Sequence, residues 1–352
     1  MITSLRRAVA PILTAVAVLA SAPLPADAHV NVQAGTRTAA RAGVQDRIDA
    51  ALHQWMTANG VSNAGLAVMR DNALVGSYGY NEISAESPVN VASLSKAITA
   101  VCLMSLIDNG RLRFDTRLAT MPPGFRLRLG YRASRRARNI TIEQLLRHTS
   151  GITYDPTQNG LVGVRNASSS DVPLVRRALA RPISAKHDEV YNNINYAILG
   201  LVIQSVTGEP YESYCRRMAL APRGAAGRIG PGTRAMKAFG GWEISAVDYA
   251  MFARAFDPRA RLLSPAAHRF IDASAVSGKP AASLGVYVVP TAHGRNVFHH
   301  GNWQSRATRP NAFSAFFAMW DNGISVVVTY DRNLTDAARV SLDNTLRQAA
   351  YS

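Results

Sequence analysis

Cysteine is nearly missing from this 352-residue chain, which holds only Cys102 and Cys215. Two are too few for a fold stapled by disulfides. Cys102 falls in an apolar helical stretch, so a buried free thiol is the expected state. A single bridge to Cys215 stays open to it in an oxidising compartment. Lysine is scarce too. The net charge is +16, from 39 basic and 23 acidic residues, yet only four of the basic residues are lysines. The arginines are spread along the chain and densest in FRLRLGYRASRRARN, with Arg126, Arg128, Arg132, Arg135, Arg136 and Arg138. Such a patch can bind nucleic acid, acidic lipid headgroups or an anionic cell-wall polymer, but with arginines spread throughout the chain it reads first as a solvated surface. No nucleic-acid module motif accompanies it, so a nucleic-acid partner is not expected.

Long apolar runs are lacking as well. Ala8 to Ala20 falls short of the ~20 residues that cross a bilayer. It follows Arg6 and Arg7 and precedes two small-residue sites, Ala20-Ser21-Ala22 and Ala26-Asp27-Ala28. This layout predicts a cleavable signal peptide over residues 1–28 and a periplasmic or secreted protein. No cysteine follows the run, so a lipid anchor is not expected. There is no internal repeat and no low-complexity tract, and the rest of the chain is long enough to bury a large core.

Val44 to Asn59 carries apolar residues at helical spacing, namely Val44, Ile48, Leu52 and Trp55. AGLAVMRDNALVGSYGYNEI reads as a hairpin turning at Asp71-Asn72. A helix is predicted from about Ser93 to Asn109, closed by Gly110. Residues 111 to about 234 are helical and loop-rich, with helices expected in TIEQLLRHTSGI, DVPLVRRALARP, NINYAILGLVIQSVTG and PYESYCRRMALAP. Strand character returns in SLGVYVVP, NVFHHGNW and NAFSAFFAMWDNGISVVVTYDRN, the last a hairpin about Asp321-Asn322-Gly323. A final helix runs over about Leu334 to Ala350. The order predicts an α/β (α+β) domain over residues 44–352. Its antiparallel sheet is built from both termini and flanked by helices, with a mostly helical insertion at about 111–234.

Three short stretches could carry chemistry. In VASLSKAITA, Ser93 and Lys96 lie three apart, so they share a helix face, whereas Ser95 points elsewhere. A lysine in a desolvated helix face loses proton affinity and can take a serine proton. In VYNNINYAILG, Tyr191 and Asn193 sit two apart before an apolar helix. A tyrosine near a lysine can have its phenolate stabilised and act as a general base, and an asparagine can donate and accept at a substrate amide at once. In VFHHGNW, His299 and Gly301 share a strand face, and the glycine would let a substrate approach backbone amides. No third ligand stands near His299 and His300 at metal spacing, so no metal or other cofactor is expected.

In this order the three stretches resemble the penicillin-recognising serine hydrolases: class C-type β-lactamases, DD-peptidases and their esterase and D-aminopeptidase relatives. The motifs S-x-x-K, Y-x-N and (K/H)-(T/S)-G correspond to Ser93-Leu94-Ser95-Lys96, Tyr191-Asn192-Asn193 and His299-His300-Gly301. LLRHTSGI, YNNINYAILG and GRLRFDTRL are similar to further family segments, from about Val44 to the end. The resemblance implies a β-lactamase/transpeptidase-like fold and an acyl-enzyme on Ser93. Lys96 and Tyr191 would move the protons, and Asn193 would orient the substrate amide. The backbone N–H groups of Ser93 and Asn302 would form an oxyanion hole. His299 would stand near the carbonyl or carboxylate end of the substrate, while His148 and Gly151 would be structural.

The departures bear on substrate. His299 replaces the lysine usual in β-lactamases, and a neutral imidazole attracts a carboxylate less than an ammonium does. Activity on carboxylate-bearing substrates should then follow the His299 titration. His300 stands in place of a threonine or serine, and Asn302 and Trp303 in place of glycines. Arg306 or Arg309 are candidates for the missing cation. The expectation is an exported monomeric hydrolase of a small ester, amide or peptide, DD-peptidase-like or esterase-like. A β-lactamase is the first alternative. A catalytically silent cell-wall-binding protein on the same fold is the second.

Overall fold

The computed structural model describes residues 43–125, 134–158, 171–275, 278–304 and 312–352. The expected signal peptide, the three arginines Arg126, Arg128 and Arg132, and both Arg306 and Arg309 lie outside the described residues. Strands among the described residues are β1 (Ala64–Arg70), β2 (Ala73–Tyr80), β3 (Val89–Asn90), β4 (Arg228–Ile229), β5 (Trp242–Ile244), β6 (Ala281–Ala282), β7 (Tyr287–Thr291), β8 (Gly294–Gln304), β9 (Ala312–Met319) and β10 (Ile324–Tyr330).

Both expected hairpins form. Asp71 and Asn72 turn β1 into β2 at φ of 48° and 68°, a left-handed pair that short polar side chains tolerate. Gly323, at φ 82°, closes the turn between β9 and β10. The main sheet has the order β2-β1-β10-β9-β8-β7-β6, with every neighbouring pair antiparallel. N-terminal β1 therefore lies against C-terminal β10, with Leu66 opposite Val328 and Val68 opposite Val326.

Alternation along these strands makes two cores. Ala67, Met69, Phe317 and Val327 face one side, where helices Ser95–Asp108, Asn193–Thr207 and Ala246–Ala253 pack. Leu66, Val68, Phe316 and Val326 face the other, under helices Val44–Asn59 and Asp336–Tyr351. With both faces covered, β10 is buried along its whole length, Ser325 and Thr329 included. A second sheet, β3-β5-β4, has strands too short for any period to show. Its β4 falls inside the stretch expected to be helical.

Two local expectations are corrected. Cys102 and Cys215 form a disulfide rather than staying free. The bridge ties the Ser95–Asp108 helix to the Tyr211–Cys215 helix, whose packing brings the two Cα atoms to 5.1 Å. The helix predicted across TIEQLLRHTSGI is only Ile142–Leu146, with Thr141 and Gln144 as its capping box. It stops because His148 takes a left-handed φ of 56°. Among the described residues no helix is long and apolar enough to cross a membrane.

Candidate active site

Ser93 lies on a 3-10 turn, Ala92–Leu94, immediately ahead of the Ser95–Asp108 helix. Ala92 is held at φ 46°, a conformation that costs a non-glycine residue about 1 kcal/mol or more. Its N–H donates to Asn90 Oδ1 at 2.7 Å, and the N–H of Val91 donates to the Trp242 carbonyl at 3.0 Å. The strained turn is thus anchored by the small sheet that no periodicity announced. Ser95 is fully buried and accepts from the Trp242 N–H at 3.1 Å. It braces the turn and does not face the cleft.

Lys96, on the first turn of that helix, is fully buried. Its Nζ is 3.0 Å from Ser93 Oγ, 2.7 Å from Asn193 Oδ1 and 2.8 Å from the Phe239 carbonyl. Burial pulls its proton affinity down to about 7, against a smaller opposing pull from Asp155. The donor count then matters. A neutral amine has two N–H donors and one lone pair. The amide oxygen of Asn193 and the Phe239 carbonyl can only accept, so they take both hydrogens. The lone pair is left for the Ser93 hydroxyl.

Tyr191 completes the set, its hydroxyl donating to Ser93 Oγ at 2.7 Å. Burial pushes the phenol well above its ordinary value, outweighing the opposite effect of the Ser93 hydrogen bond. Lys96 Nζ lies 4.9 Å from the Tyr191 ring centroid, over the face of the ring and not in a bond with its oxygen. The phenol is therefore a proton donor here. The sequence argument for a stabilised phenolate does not carry over. Behind it, the His148 ring packs against Tyr191, tilted by 35°, at 4.7 Å between ring centroids. Its Nδ1 accepts from the Asn192 N–H at 3.2 Å and from Asn195 Nδ2 at 3.0 Å. Burial and the neighbouring Lys96 hold His148 neutral, as those two donors require.

Asn193 heads the Asn193–Thr207 helix. Its Nδ2 donates to Thr157 Oγ1 at 2.7 Å while its Oδ1 receives Lys96. Both ends of the amide are engaged by the protein itself. The geometry points this side chain at Lys96, where the sequence suggested a substrate amide.

On the opposite wall, β8 brings His299 to the cleft and Gly301 against the Ala92–Leu94 turn. A Cβ on Gly301 would come within 2.3 Å of the Val91 carbonyl and 3.2 Å of the Ser93 nitrogen. The glycine is needed because the protein's own Ala92–Leu94 turn presses on the strand, which differs from the expected approach of a substrate. Beyond Phe298, β8 pairs only with β9, so its other edge at Gly301 and Asn302 faces this turn. The Asn302 side chain is turned away, accepting from Ser314 Oγ at 2.8 Å. His299 is 4 % exposed, with Nδ1 2.7 Å from the His300 carbonyl. Burial, then Lys96, lower it to about 3. It stays neutral at physiological pH, and the expected titration does not fall there. His300 points to the other face, where it stacks on Phe316, and still borders the cleft.

A cleft of about 350 Å³ opens over Ser93, with Met236, Phe239, Tyr287, Phe298 and Trp303 among its apolar walls. Arg339, from the Asp336–Tyr351 helix, also lines it. That arginine pairs with Asp336 and donates to the Leu334 carbonyl at 2.8 Å. Sequence reading missed it, along with Thr157 and the Phe239 carbonyl. None carries a motif, and each reaches the site only through packing.

Comparison with known proteins fits this geometry. Residues 48–351 match the family described as Beta-lactamase. "Protein flp" of Staphylococcus aureus (strain COL) is 29% identical over 188 residues, covering 51% of this chain and 36% of its own. "Penicillin-binding protein 4" of Amycolatopsis lactamdurans is 32% identical over 152 residues, covering 40% of this chain and 36% of its own. The chain thus spans little more than a third of the length of these relatives. Among solved structures, a "Beta-Lactamase/D-Alanine Carboxypeptidase from Pseudomonas syringae" superposes with a TM-score of 0.66 at 17% identity, over 87% of this chain and 99% of that one.

Proposed function

The chain belongs to the Beta-lactamase family, and on that premise we propose that it is an exported serine hydrolase acting through an acyl-enzyme on Ser93. The observation that carries this reading is the donor arithmetic at Lys96. Its two hydrogens are claimed by obligate acceptors, and its lone pair is left 3.0 Å from Ser93 Oγ. A burial-lowered amine near 7 is the right base for a serine hydroxyl at neutral pH. Lys96 takes the Ser93 proton as Oγ attacks the carbonyl carbon. The backbone N–H groups of Ser93 and Asn302 receive the oxyanion. Tyr191, kept protonated by burial, delivers a proton to the leaving nitrogen or oxygen. The Tyr191 phenolate then takes a proton from the water that attacks the acyl carbon, and the Lys96 ammonium returns its proton to Ser93 Oγ as the acid is released.

The substrate is a small ester or amide of the DD-peptidase or esterase type. His299 is neutral and shielded, so it gives a carboxylate no cation. Arg339 supplies one from the cleft wall, and this favours a substrate ending in a carboxylate, such as a D-alanyl peptide. Export is supported by the disulfide, which persists in oxidising compartments. A silent wall-binding protein has no need of a buried lysine poised on a serine. Incubation with a fluorophosphonate or a fluorescent penicillin tests the reading, labelling being expected in the wild type and absent in Ser93→Ala. No labelling by either reagent, and no turnover of nitrocefin, p-nitrophenyl esters or D-Ala-D-Ala peptides, would overturn it. Within that panel, Arg339→Met should raise KM for the peptide and spare the neutral ester.

A further inference from the structure

The loop after His148-Thr149-Ser150-Gly151 reaches back to the site at a residue no motif includes. Asp155 Oδ2 accepts from the Asn193 N–H at 2.7 Å, and its Oδ1 accepts from the Thr157 N–H at 2.8 Å. The second bond fixes Thr157, whose Oγ1 accepts from Asn193 Nδ2 at 2.7 Å. Asn193 is therefore held at backbone and side chain by one two-residue clamp. That hold leaves its Oδ1 facing Lys96 at 2.7 Å. The position is also favourable for charge. Asn193 opens a 15-residue helix, whose N-terminal dipole stabilises a carboxylate.

We infer that Asp155 is a positioning residue for Lys96: through Asn193 it holds the amine on Ser93, with its negative charge acting on that amine. The inference rests on Lys96 being the base of the proposed hydrolase. Around Lys96 stand Tyr191 and Tyr196, with ring centroids at 4.9 and 5.9 Å, the Phe239 ring at 5.9 Å, and the neutral His148 and His299. Burial of the amine among these groups disfavours an ammonium more than the ring faces favour it. Asp155 is the carboxylate that acts the other way, keeping Lys96 from becoming an amine too weakly basic to take a serine proton.

The test is Asp155→Asn in the full chain, which removes the charge and keeps one acceptor. Two readouts are needed. One is kcat/KM against pH on an ester that the wild type turns over. The other is NMR titration with [ε-13C]lysine, resolvable because the chain has only four lysines. The expected result is a Lys96 midpoint lower by roughly half a unit to one unit, with the acid limb of the rate profile following it. A fall in rate with both midpoints unmoved would mean a purely structural loop and would overturn the inference. A midpoint that rises would do the same. Should Asp155→Asn not fold, Asp155→Ser, which keeps a hydroxyl acceptor, is titrated with the same two outcomes. The NMR arm separates this inference from the hydrolase reading. If no reagent labels Ser93, that reading falls, while the Lys96 midpoint still decides what Asp155 does.

Discussion

Replacing Lys96 by methionine tests the physical basis of the site without any substrate. Methionine fills similar volume and carries no charge, so it removes the cost of burying an ammonium. In the unfolded chain the lysine titrates at 10.5, and in the folded protein at about 7. Between those values the unfolded chain holds a proton that the folded chain has released. Stability therefore rises with pH across that window, and the full cost is present below about 7. At about 1.4 kcal/mol per unit the whole window is worth ~5 kcal/mol, of which about 3 kcal/mol falls between pH 6 and pH 9. The mutant forfeits the donors to Asn193 Oδ1 and the Phe239 carbonyl, a loss of ~1–3 kcal/mol for each orphaned acceptor that does not vary with pH. Only the pH-dependent part is diagnostic. Urea unfolding of both proteins, with the disulfide intact, gives two stability curves. The mutant should gain about 3 kcal/mol relative to the wild type on going from pH 9 to pH 6. Groups common to both proteins cancel in that difference, and His148 and His299, held below their ordinary values, stay neutral throughout. Parallel curves would show that Lys96 titrates normally, and the lone-pair argument would then fail.

Three other outcomes follow from the same coordinates. Tyr191→Phe should slow acylation by ~10²-fold or more while thermal unfolding barely moves; turnover equal to wild type in a p-nitrophenyl ester assay would remove Tyr191 from the proton path. The rate profile should rise through about 7 with Lys96, and His299→Gln should leave that limb in place, because His299 is already neutral above about 3. A limb between pH 5 and 8 that vanishes in the mutant would refute the buried, neutral imidazole. Cys102→Ser with Cys215→Ser opens a bridge of sequence separation 113 and should cost ~2–5 kcal/mol in urea unfolding under non-reducing conditions; an unchanged midpoint would mean that packing alone joins the two helices.

The elements that were legible in the sequence are those in which local chemistry and periodicity agree. Asp71-Asn72 and Asp321-Asn322-Gly323 announce their turns because few residues accept a left-handed backbone. Asn193–Thr207 reads as a helix from its apolar content and the Gly208 stop, and β10 reads as the second strand of the hairpin about Asp321-Asn322-Gly323. The short strands β3, β4 and β5 were silent, since two or three residues carry no period. Spacing and order alone brought Ser93, Lys96, Tyr191 and Asn193 into view, and geometry separated Ser93 from Ser95. What those side chains do to one another depended on groups that sequence does not reveal. The Phe239 carbonyl is backbone, which every residue has. Asp155 and Thr157 matter only because their loop folds onto the helix opened by Asn193. Arg339 arrives from a helix more than two hundred residues beyond Lys96. The sequence by itself determined which reactive groups exist and which face of the chain they share. The tertiary structure decided their protonation, because desolvation and hydrogen-bond partners are set by what packs around a group. That is why Lys96 loses proton affinity, Tyr191 stays a donor, His299 is held neutral, and the disulfide closes.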